Sequence, residues 1–422
     1  MTRATQPNRL TAHPDPLPAR GEREPSVSEA GEGRSILIYV QHLLGIGHLM
    51  RARVLAEALA ARGFGVHLVT GGMAIGGRLP QGVETIQLPP IRVSDASFTP
   101  LRDADFTPID DAYRDRRRAL LLDVYERARP AAVLFETFPF GRRSLRFELF
   151  PLLERIDATH PRPLVISSIR EILQLAPKED RSREMIDWAA RWFDAIAVHG
   201  DPRFARFEDT FPFVDALVPP VHYTGFVRND LAACTDDAGV RDEVVVSAGG
   251  GGVGIELLAT ALEAQRVSRF RHLTWRVLAG PNVPEAGLAR LRSVASPNAI
   301  VERSRVDFAS LLRRAFVSIS QAGYNTTMDV MGSGARPVVV PFTGNGETEQ
   351  RARGERLAAF GLAVVVDDRT LTPESLAAAV DDAGSRERFA RWDFDSDGAA
   401  RTADLVTRLL AVRNEEPART AA

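Results

Sequence analysis

Three loops in this chain carry side chains able to do chemistry. The first, Gly45-Ile46-Gly47-His48, follows the β-rich apolar run Ser35–Val40. An imidazole titrates near neutrality, so His48 can take a proton from a hydroxyl or help to bind phosphate. The bland alternative is a helix-start histidine bonded to backbone. The second loop holds Gly249, Gly250, Gly251 and Gly252, after the apolar run EVVVSA and before a helical pattern. Its bare amides at a helix start attract anions, and the alternative is a tight turn relieved by glycine. The third stretch, Ser318 to Gln350, reads as two strand–loop–helix units in succession. Ser320, Gln321, Ala322 and Gly323 form a loop where backbone can approach a ligand. Asp329 is the one acid on the helix that follows, suited to a diol or to solvent. Glu347, Glu349 and Gln350 open the next helix and can grip hydroxyls, with Glu347 equally suited to a loop charge or a cap. A phosphate site, a diol site and a polyol site this close in sequence suggest a nucleotide sugar.

Gly249, Gly251 and Gly254 also satisfy G-x-G-x-x-G, which by itself favours a dinucleotide domain. That fingerprint wants an acid at the end of the next strand for the ribose. Here the strand ends Leu278-Ala279-Gly280-Pro281-Asn282, so NAD is rejected as the leading reading, and a dehydrogenase would be stabilised by NAD and not by UDP.

These loops must be set by strands and helices in alternation. Apolar runs at SILIYV, VHLVT, AAVLFE, PLVISS and AIAVHG alternate with helical patterns from Leu49 to Arg62 and from Asp111 to Ala128. A second series starts at EVVVSA and continues through helix Ile255–Gln265, LTWRVLA, two helices over 286–294 and 308–315, FVSIS, LAVVV and helix 373–383. Such a rhythm implies parallel sheets in an α/β fold with two Rossmann-like doubly wound domains facing a cleft. The expected division is a disordered tail over 1–34, a first domain over 35–227, a linker over 228–242, a second domain over 243–397, a final helix over 398–412 and a tail over 413–422. The final helix has no strand after it and is expected to pack across the domain boundary. Residues 89–110 lack periodicity, and so long a loop is functional or mobile.

A length of 422 residues allows two to three domains, and a net charge of −2 gives no nucleic-acid footprint. The single Cys234 excludes an intramolecular disulfide and fits a reducing cytoplasm. No run reaches the ~18 to 20 apolar residues of a membrane span. Peripheral contact with the inner face of the plasma membrane stays open, because RDRRR at 114–118 is either a solvated helix face or a basic patch for anionic lipid.

The chain resembles nucleotide-sugar glycosyltransferases of the GT-B fold. More closely it resembles the family of the peptidoglycan lipid II-forming N-acetylglucosaminyltransferase, with its glycosyltransferase family 28 carboxyl-terminal type domain. The family's SRSG-type loop, helical acid, G-x-P and D-x-Q-Q-type segment read here as SQAG, Asp329, GARP and ETEQ. The resemblance implies that Asp329 grips the ribose, that Glu349 and Gln350 hold donor-sugar hydroxyls, and that Gly249–Gly252 cradle the pyrophosphate. Arg228, in TGFVRND, takes the place of an arginine near the diphosphate, where a planar fork suits phosphate. Gly45, Gly47 and His48 match the glycine-rich loop with a terminal histidine, which makes His48 the acceptor-side base. Related sugar-nucleotide hydrolases carry a similar G-x-G-H-x-x-R. Three positions depart from the family: Arg303 and Ser304 stand where two apolar residues precede the base-capping helix, and Arg353 replaces an asparagine.

Two further strand-end loops, FETFPFGRR and SSIREI, offer Glu136, Arg142, Arg143, Arg170 and Glu171 as acceptor contacts or as ordinary loop charges. The EF-hand-like spacing from Asp393 to Asp404 is set aside because Arg401 stands at its ninth position and Asp, not Glu, at its twelfth. Asp397 is instead expected to cap the final helix.

The expectation is therefore an inverting, metal-independent transferase. It moves a sugar from a UDP-hexose or UDP-N-acetylhexosamine to a lipid-linked, polysaccharide or small-molecule acceptor, with no cofactor beyond the donor. A nucleotide-sugar hydrolase or epimerase of the same fold, and a non-enzymatic nucleotide-sugar-binding protein, are the alternatives.

Overall fold

Strand and helix alternate from Ser35 to the last turn of the chain in a computed structural model. It describes residues 33–420 apart from 44, 77–79, 94–99, 175–178, 229–240, 250–253, 281–282, 306 and 388, with side chains beyond 413 and at 345 also left aside. The first series runs β1 (Ser35–Val40), α1 (Gly47–Ala60), β2 (Gly65–Thr70), β3 (Val83–Gln87), α2 (Asp111–Ala128), β4 (Ala132–Glu136), α3 (Arg146–Asp157), β5 (Leu164–Arg170), α4 (Glu179–Trp192), β6 (Ala195–His199) and β7 (Val221–Tyr223). The second runs β8 (Glu243–Ser247), α5 (Ile255–Val267), β9 (Thr274–Ala279), α6 (Glu285–Val294), β10 (Ala299–Arg303), α7 (Phe308–Arg314), β11 (Ala315–Ser320), α8 (Tyr324–Ser333), β12 (Arg336–Val339), α9 (Glu349–Ala359), β13 (Val364–Val365) and α10 (Pro373–Ser385). Helix α11 (Gly398–Thr420) closes the chain.

Each series makes one sheet of parallel pairs, in the orders β3-β2-β1-β4-β5-β6-β7 and β10-β9-β8-β11-β12-β13. The expected α/β architecture of two doubly wound domains is observed. The strand order reverses between β1 and β4 in one sheet and between β8 and β11 in the other. Ligands bind outside the carboxyl ends of strands at such points, and the three chemically equipped loops leave β1, β8 and β11. Helices cover both faces, so β4 and β6 are buried throughout and read as unbroken apolar runs.

Local chemistry sets several ends. The Asp110 carboxylate accepts from the Tyr113 amide to cap α2, and Thr372 and Ser375 form a capping box ahead of Pro373 in α10. Helix α1 starts at Gly47, so His48 lies in its first turn rather than in the loop before it.

The second domain ends by crossing back. Residues Ala403, Leu405, Val406 and Leu410 of α11 pack with Leu49, Ala52 and Ala56 of α1 in the first domain's core. The packing across the boundary is as expected, but the helix runs to Thr420, into the segment expected to be a tail. At the crossing, the Phe226 amide donates to the Asp395 carbonyl at 2.7 Å and the Gly398 amide to the Phe226 carbonyl at 3.0 Å. Phe204, Phe226, Trp392 and Phe394 stack there edge to face. Another apolar cluster joins Ile172 and Phe226 of the first domain to Ala322, Tyr324, Met328 and Leu357 of the second.

The basic run at 114–118 is not a uniform solvated face. Arg117 is fully buried, and its guanidinium donates to both Glu148 oxygens, to the Gly71 carbonyl and to Gln41. Tyr39 donates to the same carboxylate. A helical-wheel reading cannot separate Arg117 from its neighbours, because its partners come from α3 and from the loops after β1 and β2. With Tyr113 bonded to the Pro90 carbonyl, this ties down the start of the long 89–110 segment, whose residues 94–99 lie outside the described set.

Candidate functional site

His48 and Glu136 meet at the first sheet's switch point. His48 Nδ1 lies 2.9 Å from Glu136 Oε1, at the end of the neighbouring strand β4. Arg51, one turn further along α1, also donates to Glu136 Oε1, and Ser168 Oγ donates to Glu136 Oε2 at 2.9 Å. Burial opposes the charge on Glu136. The Arg51 charge and the His48 hydrogen bond outweigh it and hold the carboxyl far below its usual range. An ionised carboxylate only accepts, so Nδ1 of His48 carries the proton and Nε2 is left bare as a proton acceptor. Burial and the charges of Arg142 and Arg170 push His48 well below its ordinary value, against the pull of Glu136. The imidazole is thus kept neutral. Thr137 and Arg142, in the turn after Glu136, hold left-handed backbone at φ 74° and 63°. Such strain costs about 1–3 kcal/mol per residue and clusters at functional sites.

The second domain's candidate loops follow β8 and β11. Ser320 and Gln321 are buried and Ala322 is fully buried, while a Cβ added at Gly323 would meet open space. Gly249 is left-handed (φ 73°), and it and Gly45 also border open space. Gly254 (φ 111°) closes the glycine loop against the third loop: a Cβ there would lie 2.4 Å from that of Ala248 and 3.0 Å from Gln321 Nε2. Gly250, Gly251 and Gly252 lie outside the described residues. Gly47 sits under the second domain, with Asn325 Nδ2 donating to its carbonyl at 2.9 Å.

Asp329 is half-buried on α8, and burial raises its pKa to about 7, with Arg228 opposing. Arg228 lies near Gly332, toward the carboxyl end of α8, where a Cβ on that glycine would be 3.7 Å from its Nη1. It therefore sits beside the acid and not at the amino end of α8.

Glu349 is held between cations. It accepts from Arg170 at 2.6 Å across the cleft and from Arg353 at 3.0 Å within α9. Arg353, fully buried, also donates to Glu171 at 2.9 Å and to the Ala322 carbonyl. Gln174 reinforces the clamp by donating to the Gly346 carbonyl and accepting from the Thr348 amide. Glu347 serves as a cap, accepting from the Glu349 and Gln350 amides, and Gln350 accepts from the Phe342 amide. Arg353 is thus an inter-domain ion-pair residue. Arg303 is a brace, donating to the Gly280 and Val283 carbonyls and to Glu285 in the β9–α6 turn.

The fold joins His48 to Glu136, Arg142 and Arg170, but leaves Arg143 outside, paired with Glu184 on the surface. Sequence reasoning missed Arg51, Tyr324 and Asn325. Arg51 stands in the same GIGHLMR run as His48, one helical turn on, which was the one available signal. Near α11, Asp395 pairs with Arg401 and Arg203 donates to the Asp393 carbonyl. Among the described residues no group of three or more His, Cys, Asp or Glu side chains could hold a metal ion, and no helix is long and apolar enough to cross a membrane.

Comparison with known proteins bears on the fold and on the second domain. Residues 245–395 match the glycosyltransferase family 28 C-terminal domain. The UDP-N-acetylglucosamine--N-acetylmuramyl-(pentapeptide) pyrophosphoryl-undecaprenol N-acetylglucosamine transferase of Thermotoga neapolitana is 26% identical over 192 residues, 44% of this chain and 52% of that protein. The match thus spans about half of that relative's length. Among solved structures, MurG of Acinetobacter baumannii is 16% identical, with 89% of this chain and 99% of that one covered at a TM-score of 0.53. UGT2 of Phytolacca americana, complexed with UDP-2fluoro-glucose and pterostilbene, is 16% identical, with 90% and 94% covered at 0.55. The spinosyn rhamnosyltransferase SpnG is 17% identical, with 90% and 96% covered at 0.52. At these identities the solved structures show the fold. The chain has the GT-B fold, and its residues 245–395 match the glycosyltransferase family 28 C-terminal domain.

Proposed function

We propose that this chain is an inverting glycosyltransferase that moves a hexose or N-acetylhexosamine from a UDP-sugar to an acceptor hydroxyl. The observation that carries the reading is the His48–Glu136 pair at one switch point, tied through Gly47 and Asn325 to the loops of the other. Bare Nε2 of His48 takes the acceptor hydroxyl proton as the acceptor oxygen attacks the anomeric carbon. The bond from that carbon to the diphosphate oxygen breaks on the opposite face, and the nucleoside diphosphate leaves with the electron pair. Glu136 stabilises the imidazolium that forms.

Charge on the leaving group falls to the amides of the glycine run and of the Ser320–Gly323 loop at the amino ends of α5 and α8. These donors take the part a metal would otherwise play, so transfer persists in EDTA. Asp329 accepts from the ribose, with Arg228 beside it. Gln350 and Glu349 line the sugar end, the latter once Arg170 yields its contact. The printed name of the Thermotoga relative includes a pyrophosphoryl-undecaprenol carrier. Arg142 and Arg170 beside His48 suit an anionic acceptor of that kind, met at the inner membrane face by a cytoplasmic protein.

A thermal-shift screen over UDP-, GDP- and dTDP-sugars identifies the donor, and transfer is then followed with lipid-linked and soluble acceptors. Rapid release of free sugar without acceptor would replace the transferase reading by a hydrolase. Retained anomeric configuration in the product would overturn the displacement step.

A further inference from the structure

Behind Glu136 a chain of buried polar groups continues that the proposed chemistry does not use. Ser168 Oγ, which donates to Glu136 Oε2, lies 2.8 Å from His199 Nε2, and His199 Nδ1 lies 2.8 Å from Thr224 Oγ1. Ser168, His199 and Thr224 are all buried, and His199 is fully so. The chain has one polarity. Glu136 only accepts, so Ser168 must donate to it. Ser168 then accepts from Nε2–H of His199, whose bare Nδ1 accepts from Thr224. Burial and the Arg51 charge, against the pull of Glu136, hold His199 neutral, with a pKa lowered to about 3.

His199 also reaches the other domain. Its carbonyl oxygen accepts from the Tyr324 hydroxyl at 3.1 Å, and that hydroxyl accepts from the Val227 amide at 2.8 Å. Tyr324 is the first residue of α8, directly after Gly323, and its ring lies 5.2 Å from the Arg51 guanidinium. Arg51 donates to Glu136, so the contacts close a ring through Arg51, Glu136, Ser168, His199 and Tyr324.

We propose that His199 is a positioning residue for the His48–Glu136 pair, holding Glu136 through Ser168 and holding Tyr324 of the second domain through its own carbonyl oxygen. The assignment of a role in transfer rests on the function proposed above, whereas the positioning itself does not. The polar chain fixes which way the Glu136 carboxylate faces. That orientation decides which nitrogen of His48 carries the proton and leaves Nε2 bare toward the cleft. The groups acting on His48 are Glu136, Arg51, Thr137, Arg142 and Arg170. Of these, Glu136 is bonded to the Ser168 hydroxyl, whereas Thr137 meets Ser168 through backbone alone, its amide donating to the Ser168 carbonyl.

The test uses the full chain with 15N-labelled histidine, the His48 signals being assigned by their loss in His48→Gln. Wild type is expected to show the Nδ1–H tautomer for His48, with a midpoint below 6.5. His199→Leu removes the donor to Ser168. It is expected to give mixed His48 tautomers, a midpoint shifted further down because the raising contact with Glu136 weakens, and a roughly tenfold lower kcat at unchanged donor KM, a fraction of what a positioned base contributes. His199→Gln retains an N–H for Ser168 and is expected to restore the wild-type tautomer. Ser168→Ala breaks the same chain with the imidazole in place and is expected to shift His48 downward even if His199→Leu does not fold. An unchanged His48 tautomer and midpoint in Ser168→Ala overturns the proposal. So does an equal loss in His199→Gln and His199→Leu that follows a lowered Tm. If wild type transfers no sugar, the function fails while the His48 spectra still decide the positioning.

Discussion

Asn325 of the second domain donates to the Gly47 carbonyl at 2.9 Å, one residue before His48. The helix that follows the Ser320–Gly323 loop thereby holds the turn bearing His48. Replacing Asn325 by Ala is expected to lower kcat about tenfold while leaving UDP affinity nearly intact, since the lost contact orients the base and not the nucleotide. Glu136→Gln is expected to cost more, about 10²–10⁴ in kcat/KM, because the amide can donate as well as accept and no longer fixes the imidazole. Steady-state kinetics beside UDP calorimetry separates the two effects. Equal weakening of UDP binding in either variant counts against it.

The pH profile follows from the charges around His48. A base works when neutral, and His48 is lowered from 6.5 by burial, Arg142 and Arg170. The acid limb of kcat/KM is therefore expected below pH 6.5. Arg142→Met removes a cation that lowers it, so the limb is expected to move up toward 6.5. A downward shift in that variant would contradict the electrostatic account.

Donor affinity should carry its own pH dependence. Asp329, raised to about 7 from 3.8 by burial, is charged above about pH 7 and protonated below. A carboxylate accepts two hydroxyls better than a neutral acid does, so UDP affinity is expected to weaken as pH falls from 8 to 6. Asp329→Asn is expected to bind more weakly at pH 8 and to show a flat profile. Calorimetry at several pH values checks this, and a flat wild-type profile removes Asp329 from the ribose site.

The buried cross-domain cation should be costly to remove alone. Arg353 and Glu171 are both fully buried and paired at 2.9 Å, with Glu349 beside them. Arg353→Met leaves the buried Glu171 carboxylate without its cation and Glu349 with Arg170 alone, and is expected to destabilise by about 3–5 kcal/mol. Adding Glu171→Gln should recover a substantial part. Urea denaturation of both variants gives the comparison, and an additive double mutant would mean that the two side chains act independently.

Gly398 marks the return of the chain. A Cβ there would lie 2.3 Å from the Gly225 carbonyl oxygen, which is backbone and cannot swing aside. Gly398→Ala is expected to cost about 1–3 kcal/mol, as overpacking does, and to loosen α11 from α1. Hydrogen exchange in α1 and α11 reads that loosening directly, and unchanged protection would show that the crossing can shift freely.

Much of the fold was legible because parallel strands buried on both faces write themselves as apolar runs, and AVLFE and AIAVH did so. The glycine run and the clustered polar groups between strand and helix were equally plain as loops that a ligand could approach, because residue type and spacing are local properties. Arg117 and Arg353 were not legible. Each looks like surface charge until partners from distant elements close around it, as Glu148 does for the first and Glu171 for the second.

By itself, the sequence determined two α/β series and the positions of His48, Asp329, Glu349 and Gln350 along them, because periodicity and residue type are local properties. Only the tertiary structure decided that His48 pairs with Glu136, 88 positions away, and that Glu349 is clamped by Arg170 across the cleft. Strand order sets which strand ends become neighbours. Burial then converts those neighbours into one neutral base, one deeply ionised carboxylate and one inter-domain ion network.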